Sequence, residues 1–85
     1  MTKVYITKYA LTEGPFTTDG EIIESMVVWV HSGYRQYAHG KEWWLTEEEA
    51  LADCERRRLA KIKSIDKQRK KLEEMKFTIA EQKAN

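Results

Sequence analysis

Every chain-breaking residue of this sequence lies in its front half: Gly14, Gly20, Gly33, Gly40 and the single Pro15 all precede Trp44, and no Gly or Pro follows. Residues that punctuate a chain into turns are crowded into one part and missing from the other, so the pattern predicts strands followed by one uninterrupted helix. Lys3 to Tyr9 alternates Val4 and Ile6 against Tyr5, Thr7 and Tyr9, the period of two of a strand. Gly14-Pro15 breaks it, and Asp19-Gly20 reads as a hairpin turn. A second run, Glu21 to His31, carries Met26-Val27-Val28-Trp29-Val30, whose branched and aromatic side chains suit a pleated sheet. Ser32-Gly33 turns it into a third strand, Tyr34 to His39, which Gly40 closes. The expected product is a three-stranded antiparallel sheet over residues 1–45, with one apolar face in need of a cover.

The cover is expected from the helix that Thr46-Glu47-Glu48-Glu49 opens as a capping box, with three glutamates complementing the positive end of the helix dipole. The expected fold class is therefore α+β: a three-stranded antiparallel sheet and one long C-terminal helix, 46–77, with 78–85 as helix end or frayed tail. Read to Lys76, the helix runs on the order of 45 Å at 1.5 Å per residue, longer than a small sheet can shelter. Leu51, Cys54, Leu59 and Ile62 are expected on the sheet. Leu72, Met75, Phe77 and Ile79 are expected past its edge. With Leu51 as an a position, Leu51, Arg58, Ile65, Leu72 and Ile79 form an imperfect heptad that strengthens toward the C-terminus. Ile65, Leu72, Met75 and Ile79 are thus candidates for a helix-pair seam, most simply in a homodimer. The alternative is a helix ending near Lys71, with Phe77 to Asn85 folded back or frayed.

Composition removes several function classes. Fifteen Lys/Arg against fourteen Asp/Glu leave a net charge of +1, and no apolar run approaches the ~18 residues of a spanning helix. The start Met-Thr-Lys-Val-Tyr-Ile has no secretory apolar stretch, so a cytoplasmic address and no membrane partner are expected. Cys54 is the only cysteine and cannot form an internal disulfide. A nucleophile pair of Cys54 with His31 or His39 is conceivable if strand pairing brings the groups together, but a lone Cys on an apolar helix side is more often a small buried hydrophobe. Two His eight residues apart lack zinc-ligand spacing, and the glycines form no phosphate loop. No catalytic residue, metal site or cofactor is expected, and the chain does not read as an enzyme.

Two binding surfaces remain. The basic residues Arg56, Lys63, Lys67 and Lys70 share a helix stripe that could meet nucleic acid. Interleaved acids make a solvated face the stronger reading, and the sequence isoelectric point of 7.8 is low for a nucleic-acid-binding domain. The aromatic residues crowd into the front half, and adjacent Trp43 and Trp44 cannot both face one side of an extended segment. One is expected under the helix start and the other exposed as an interface anchor, with Tyr37 contributing to recognition.

The stretches Ile6 to Pro15, ITKYALTEGP, and Lys41 to Phe77, KEWWLTEEEALADCERRRLAKIKSIDKQRKKLEEMKF, resemble a loose group of small accessory proteins encoded by phages, prophages and other mobile elements. The group shares a Tyr-Ala-Leu-Thr-x-Gly turn after an opening strand, a Glu-Trp, a Thr-x-Glu-Glu-Ala helix start and a long helix ending near Lys-Phe. Pro15 stands where the group prefers Ile, and Trp44 where it prefers His. The resemblance implies a sheet with a long helix, a place in the cytoplasm of a host cell, and action by binding and inhibiting a host protein, CRISPR complexes among them. It carries over no catalytic residue.

Overall fold

A computed structural model describes residues 1–80; the last five positions of the expected tail lie outside the described residues. Five strands, β1 (Thr2–Ile6), β2 (Phe16–Ile23), β3 (Met26–His31), β4 (Tyr34–His39) and β5 (Trp43–Trp44), precede one helix, α1 (Glu47–Glu73). All neighbours are antiparallel, in the order β4-β3-β2-β1-β5.

The fold is α+β, but the sheet has five strands rather than the expected three. Asp19-Gly20 does not turn: both residues lie inside β2, opposite Lys3 and Thr2. The turn is Glu24-Ser25, which splits the expected second strand, and Glu24 takes a left-handed φ of 58° to make it. An alternation reading misses it because neither residue is a customary turn former at positive φ. Ser32-Gly33 does turn as expected, with φ of 52° and 80°, the two positive values of a type I′ hairpin. Trp43-Trp44, after a 3-10 turn over Gly40–Glu42, pairs with Ile6 and Tyr5 as the fifth strand.

The sheet is rolled into an open barrel, whose edge strands β4 and β5 do not pair with each other. Its two edge strands, β4 and β5, are joined by only Gly40–Glu42, so His39 to Trp43 spans at most about 14 Å. Four strand spacings in a flat sheet would need about 19 Å. The Lys8 ammonium, just after β1, also donates to the Tyr37 carbonyl on β4 at 3.0 Å, across two intervening strands. Rolling brings Val4, Ile6, Val27, Trp29 and Ala38 into one buried cluster with Trp43 against it. Gly20 permits the closest approach: a Cβ there would stand 2.6 Å from Val27 Cγ2. The apolar face expected to need the helix as its cover is covered by the sheet itself.

That changes what α1 does. Among its residues only Ala50 and Asp53 are buried, and Leu51, Leu59 and Ile62, expected against the sheet, are about half exposed. Thr46 caps the helix by accepting from the Glu49 amide at 3.2 Å, while its hydroxyl donates to the Glu49 carboxylate at 2.8 Å rather than leaving that carboxylate to reach back to the Thr46 amide. Three glutamates in the first turn and Lys70 and Lys71 in the last complement the helix dipole. The helix ends at Glu73, so Met75 and Ile79 lie beyond it in chain without regular structure. The radius of gyration is 20.2 Å, where a compact chain of this length would have about 12 Å.

Candidate functional site

The helix is held to the barrel by polar chemistry. Asp53, on the second turn of α1, is 5% exposed, and its Oδ2 accepts from the Thr7 hydroxyl and from Arg57 Nε, each at 2.7 Å. Thr7, fully buried just past the end of β1, accepts in turn from Trp44 Nε1 at 3.1 Å. Arg57 donates a second bond to the Lys41 carbonyl at 3.0 Å, and Arg56 lies over the Trp44 ring at 5.6 Å. Burial works to raise the Asp53 carboxyl, but the bonds from Arg57 and Thr7 and the Arg57 charge together hold it below its ordinary value. A charged, fully bonded Asp53 therefore fixes the direction in which α1 leaves the barrel.

Arg57 makes the last bond back to the barrel. Every residue from Arg58 to Ala80 is exposed. The free part of α1, Arg58–Glu73, extends about 24 Å at 1.5 Å per residue. It carries Leu59, Ile62, Ile65 and Leu72, between 44% and 66% exposed, spread over about 140° of its circumference at about 100° per residue. Apolar side chains held out on a rigid element, away from the chain's own core, form the kind of surface that partners cover.

A second concave feature lies on the barrel. A groove of about 620 Å³ between the Thr7–Pro15 loop and the β3–β4 hairpin is lined by Tyr9, Glu13, Phe16, Trp29, His31 and Gln36 among others. Phe16 meets Trp29 edge to face, with centroids 6.0 Å apart, as its apolar floor.

The residues singled out in the sequence are dispersed over these surfaces. Trp43 and Trp44 are both half-buried and both tied down, Trp43 Nε1 donating to the Ser25 carbonyl at 3.0 Å. Neither is the free-standing anchor expected. Tyr37 is 39% exposed beneath Arg35, at 6.0 Å. Ile65 and Leu72 are exposed on α1, whereas Met75 and Ile79 are exposed beyond its end. Of the basic stripe, Arg56 is engaged by Asp53 and Trp44, while Lys63, Lys67 and Lys70 make no ion pair among the described residues. His31 and His39 do not approach each other. The hairpin pairs His31 with Tyr34 and Met26 with His39, which puts them at opposite ends of the ladder, about 16 Å apart. Burial and the neighbouring Asp53 push the Cys54 thiol up, toward its unreactive form. Asp53 itself escaped the sequence reading. Its one signal was Asp four residues before Arg57, a spacing shared by many solvent-exposed helix pairs.

Among the described residues no helix is long and apolar enough to cross a membrane, and no group of three or more His, Cys, Asp or Glu side chains could hold a metal ion. No family model, no curated protein and no solved structure matches this chain.

Proposed function

We propose that this chain is a non-enzymatic protein-binding module, an accessory protein of the kind that phages and mobile elements encode, which engages a host protein in the cytoplasm and inhibits it by steric occlusion. The observation that carries the reading is the free stretch of α1, which holds Leu59, Ile62, Ile65 and Leu72 in solvent on a helix anchored by Asp53. An isolated helix of this length is marginal in water. Presented on a fixed barrel it is preorganised, and binding then costs less ordering entropy. The groove floored by Phe16 and Trp29, and Tyr37 on β4 of the hairpin that borders it, provide contacts that give such a module selectivity. Affinity purification of the tagged full chain from a bacterial host, in parallel with an Ile65→Lys/Leu72→Lys variant, tests it. A protein retained by the first and lost from the second supports the reading; equal retention by both overturns it.

The second reading is nucleic-acid binding through the basic helix. Lys63, Lys67 and Lys70 fall within about 60° of arc at about 100° per residue, and none is neutralised by an ion pair among the described residues. Binding that weakens steeply with salt is its signature, and a gel shift negative at low salt removes it.

A further inference from the structure

We infer that α1 pairs with α1 of a second copy, antiparallel, with the two-fold axis at Ile62. The inference rests on the reading of the free helix as a binding surface and deepens it: a second copy takes the line through Ile62, so that a host protein meets the paired helices rather than a lone one. At about 100° per residue, Leu51, Glu55, Arg58, Ile62, Asp66 and Arg69 lie within about 40° either side of a single line along α1. Ala50, Asp53 and Arg57, which bond or bury against the barrel, lie about 120–180° round from that line. From Glu55 onward the line therefore faces away from the barrel and a second helix can lie on it without meeting the first copy's strands, while Leu51, at its start, borders a shallow groove shared with Tyr5, Phe16 and Thr17.

The charges on this line select the orientation. In an antiparallel pair centred on Ile62, residues equidistant from it in opposite directions stand at the same height. Glu55 then meets Arg69 of the second copy and Arg58 meets Asp66 of the second copy, each twice by symmetry. Ile62 meets its own counterpart on the axis, and Leu51 comes beside Leu72 of the second copy. In a parallel, in-register pair every one of these charges faces itself: Arg58 on Arg58, Arg69 on Arg69, Glu55 on Glu55. The heptad that starts at Leu51 would lead to that arrangement, and like charges in register oppose it. Within one chain Arg58 pairs with Glu55 and Arg69 with Glu73, while Asp66 makes no ion pair among the described residues. Antiparallel pairing supplies Asp66 with a cation. Surface ion pairs of this kind add little affinity and determine register, while Ile62, Ile65, Leu59 and Leu72 provide the apolar area.

The test uses the full chain in a Cys54→Ala background. Glu55→Cys and Arg69→Cys are prepared separately, then mixed and oxidised. The antiparallel register predicts a disulfide-linked dimer in the mixture and none from either variant alone, because a Glu55→Cys site and its own copy stand about 21 Å apart along the axis at 1.5 Å per residue. Cross-linking of Glu55→Cys alone overturns the orientation. Sedimentation equilibrium of the unsubstituted chain at micromolar concentrations is expected to give twice the 10.1 kDa chain mass, and Ile62→Lys to give the chain mass with unchanged far-ultraviolet circular dichroism. A monomer in the unsubstituted chain overturns the pairing. A monomer that still retains a host protein overturns the pairing alone, and a dimer that retains none overturns the host-binding reading alone.

Discussion

Replacing Asp53 by Ala removes the acceptor on which the helix attachment converges. The Thr7 hydroxyl, fully buried, keeps the bond it accepts from Trp44 but has no acceptor for its own proton, at a cost of about 1–3 kcal/mol. Arg57 loses its Nε partner, yet its side chain is 30% exposed and still bonds the Lys41 carbonyl, so its share falls well below the ~3–5 kcal/mol of a fully buried pair. About 2–3 kcal/mol in total is expected, a large fraction of the ~4–13 kcal/mol that 85 residues ordinarily provide. Urea unfolding followed by tryptophan fluorescence reads it, since Trp44 belongs to the network. The effect depends on pH. The folded carboxyl titrates below its ordinary 3.8, so its stabilisation is complete above that value and is lost as pH falls through the folded value. Asp53→Asn therefore destabilises at pH 7 and narrows its deficit against the parent as the medium is acidified below about pH 4. A double-mutant cycle with Thr7→Val should return a coupling of about 1–2 kcal/mol. A coupling within 0.5 kcal/mol of zero, with Asp53→Ala as stable as the parent, refutes the account of how α1 is attached.

Gly20→Ala is expected to cost about 1–3 kcal/mol, because the added Cβ meets Val27 Cγ2 at 2.6 Å and the unyielding Val28 carbonyl oxygen at 3.0 Å. Gly33→Ala meets no atom and costs only the strain of its φ of +80°, about 1 kcal/mol; a Gly20→Ala chain as stable as the parent in urea titration would contradict the close approach of β2 to β3. Ile6→Ala should lower stability by about 2–5 kcal/mol and Leu59→Ala by under 0.5 kcal/mol in dilute protein, both measured by urea titration. Trp44→Phe deletes the bond to Thr7 while keeping an aromatic ring under Arg56, and a loss of about 1 kcal/mol is expected by the same titration.

Residues 46–73 were legible in the sequence because their information is local. A hydroxyl at Thr46 with Glu49 three residues on, acids before bases, and the absence of Gly and Pro are satisfied within one helix whatever surrounds it. The same holds for Ser32-Gly33, where glycine tolerates the backbone that a two-residue hairpin demands. Glu24 takes that backbone without being a residue that announces it, and so the second and third strands were read as one. One of Trp43 and Trp44 reads as an exposed anchor because aromatic character shows in sequence, whereas hydrogen bonds to Ser25 and Thr7, 18 and 37 positions away, do not.

The overhang of the helix was expected from its length, but the reason for it was not. A period of two says which side chains share a face; it does not say whether that face is shielded by another element or by the sheet curling on itself. Closure depends on the three-residue link from β4 to β5, and the missing side chain at Gly20 lets β2 lie close on β3; both act only once the strands have paired. Sequence alone determined that a rigid charged helix follows a set of short strands. Tertiary structure alone decided that the strands need no cover and that the helix is fastened through Asp53 at one end, because burial and long-range hydrogen bonding belong to the assembled chain and not to any segment of it.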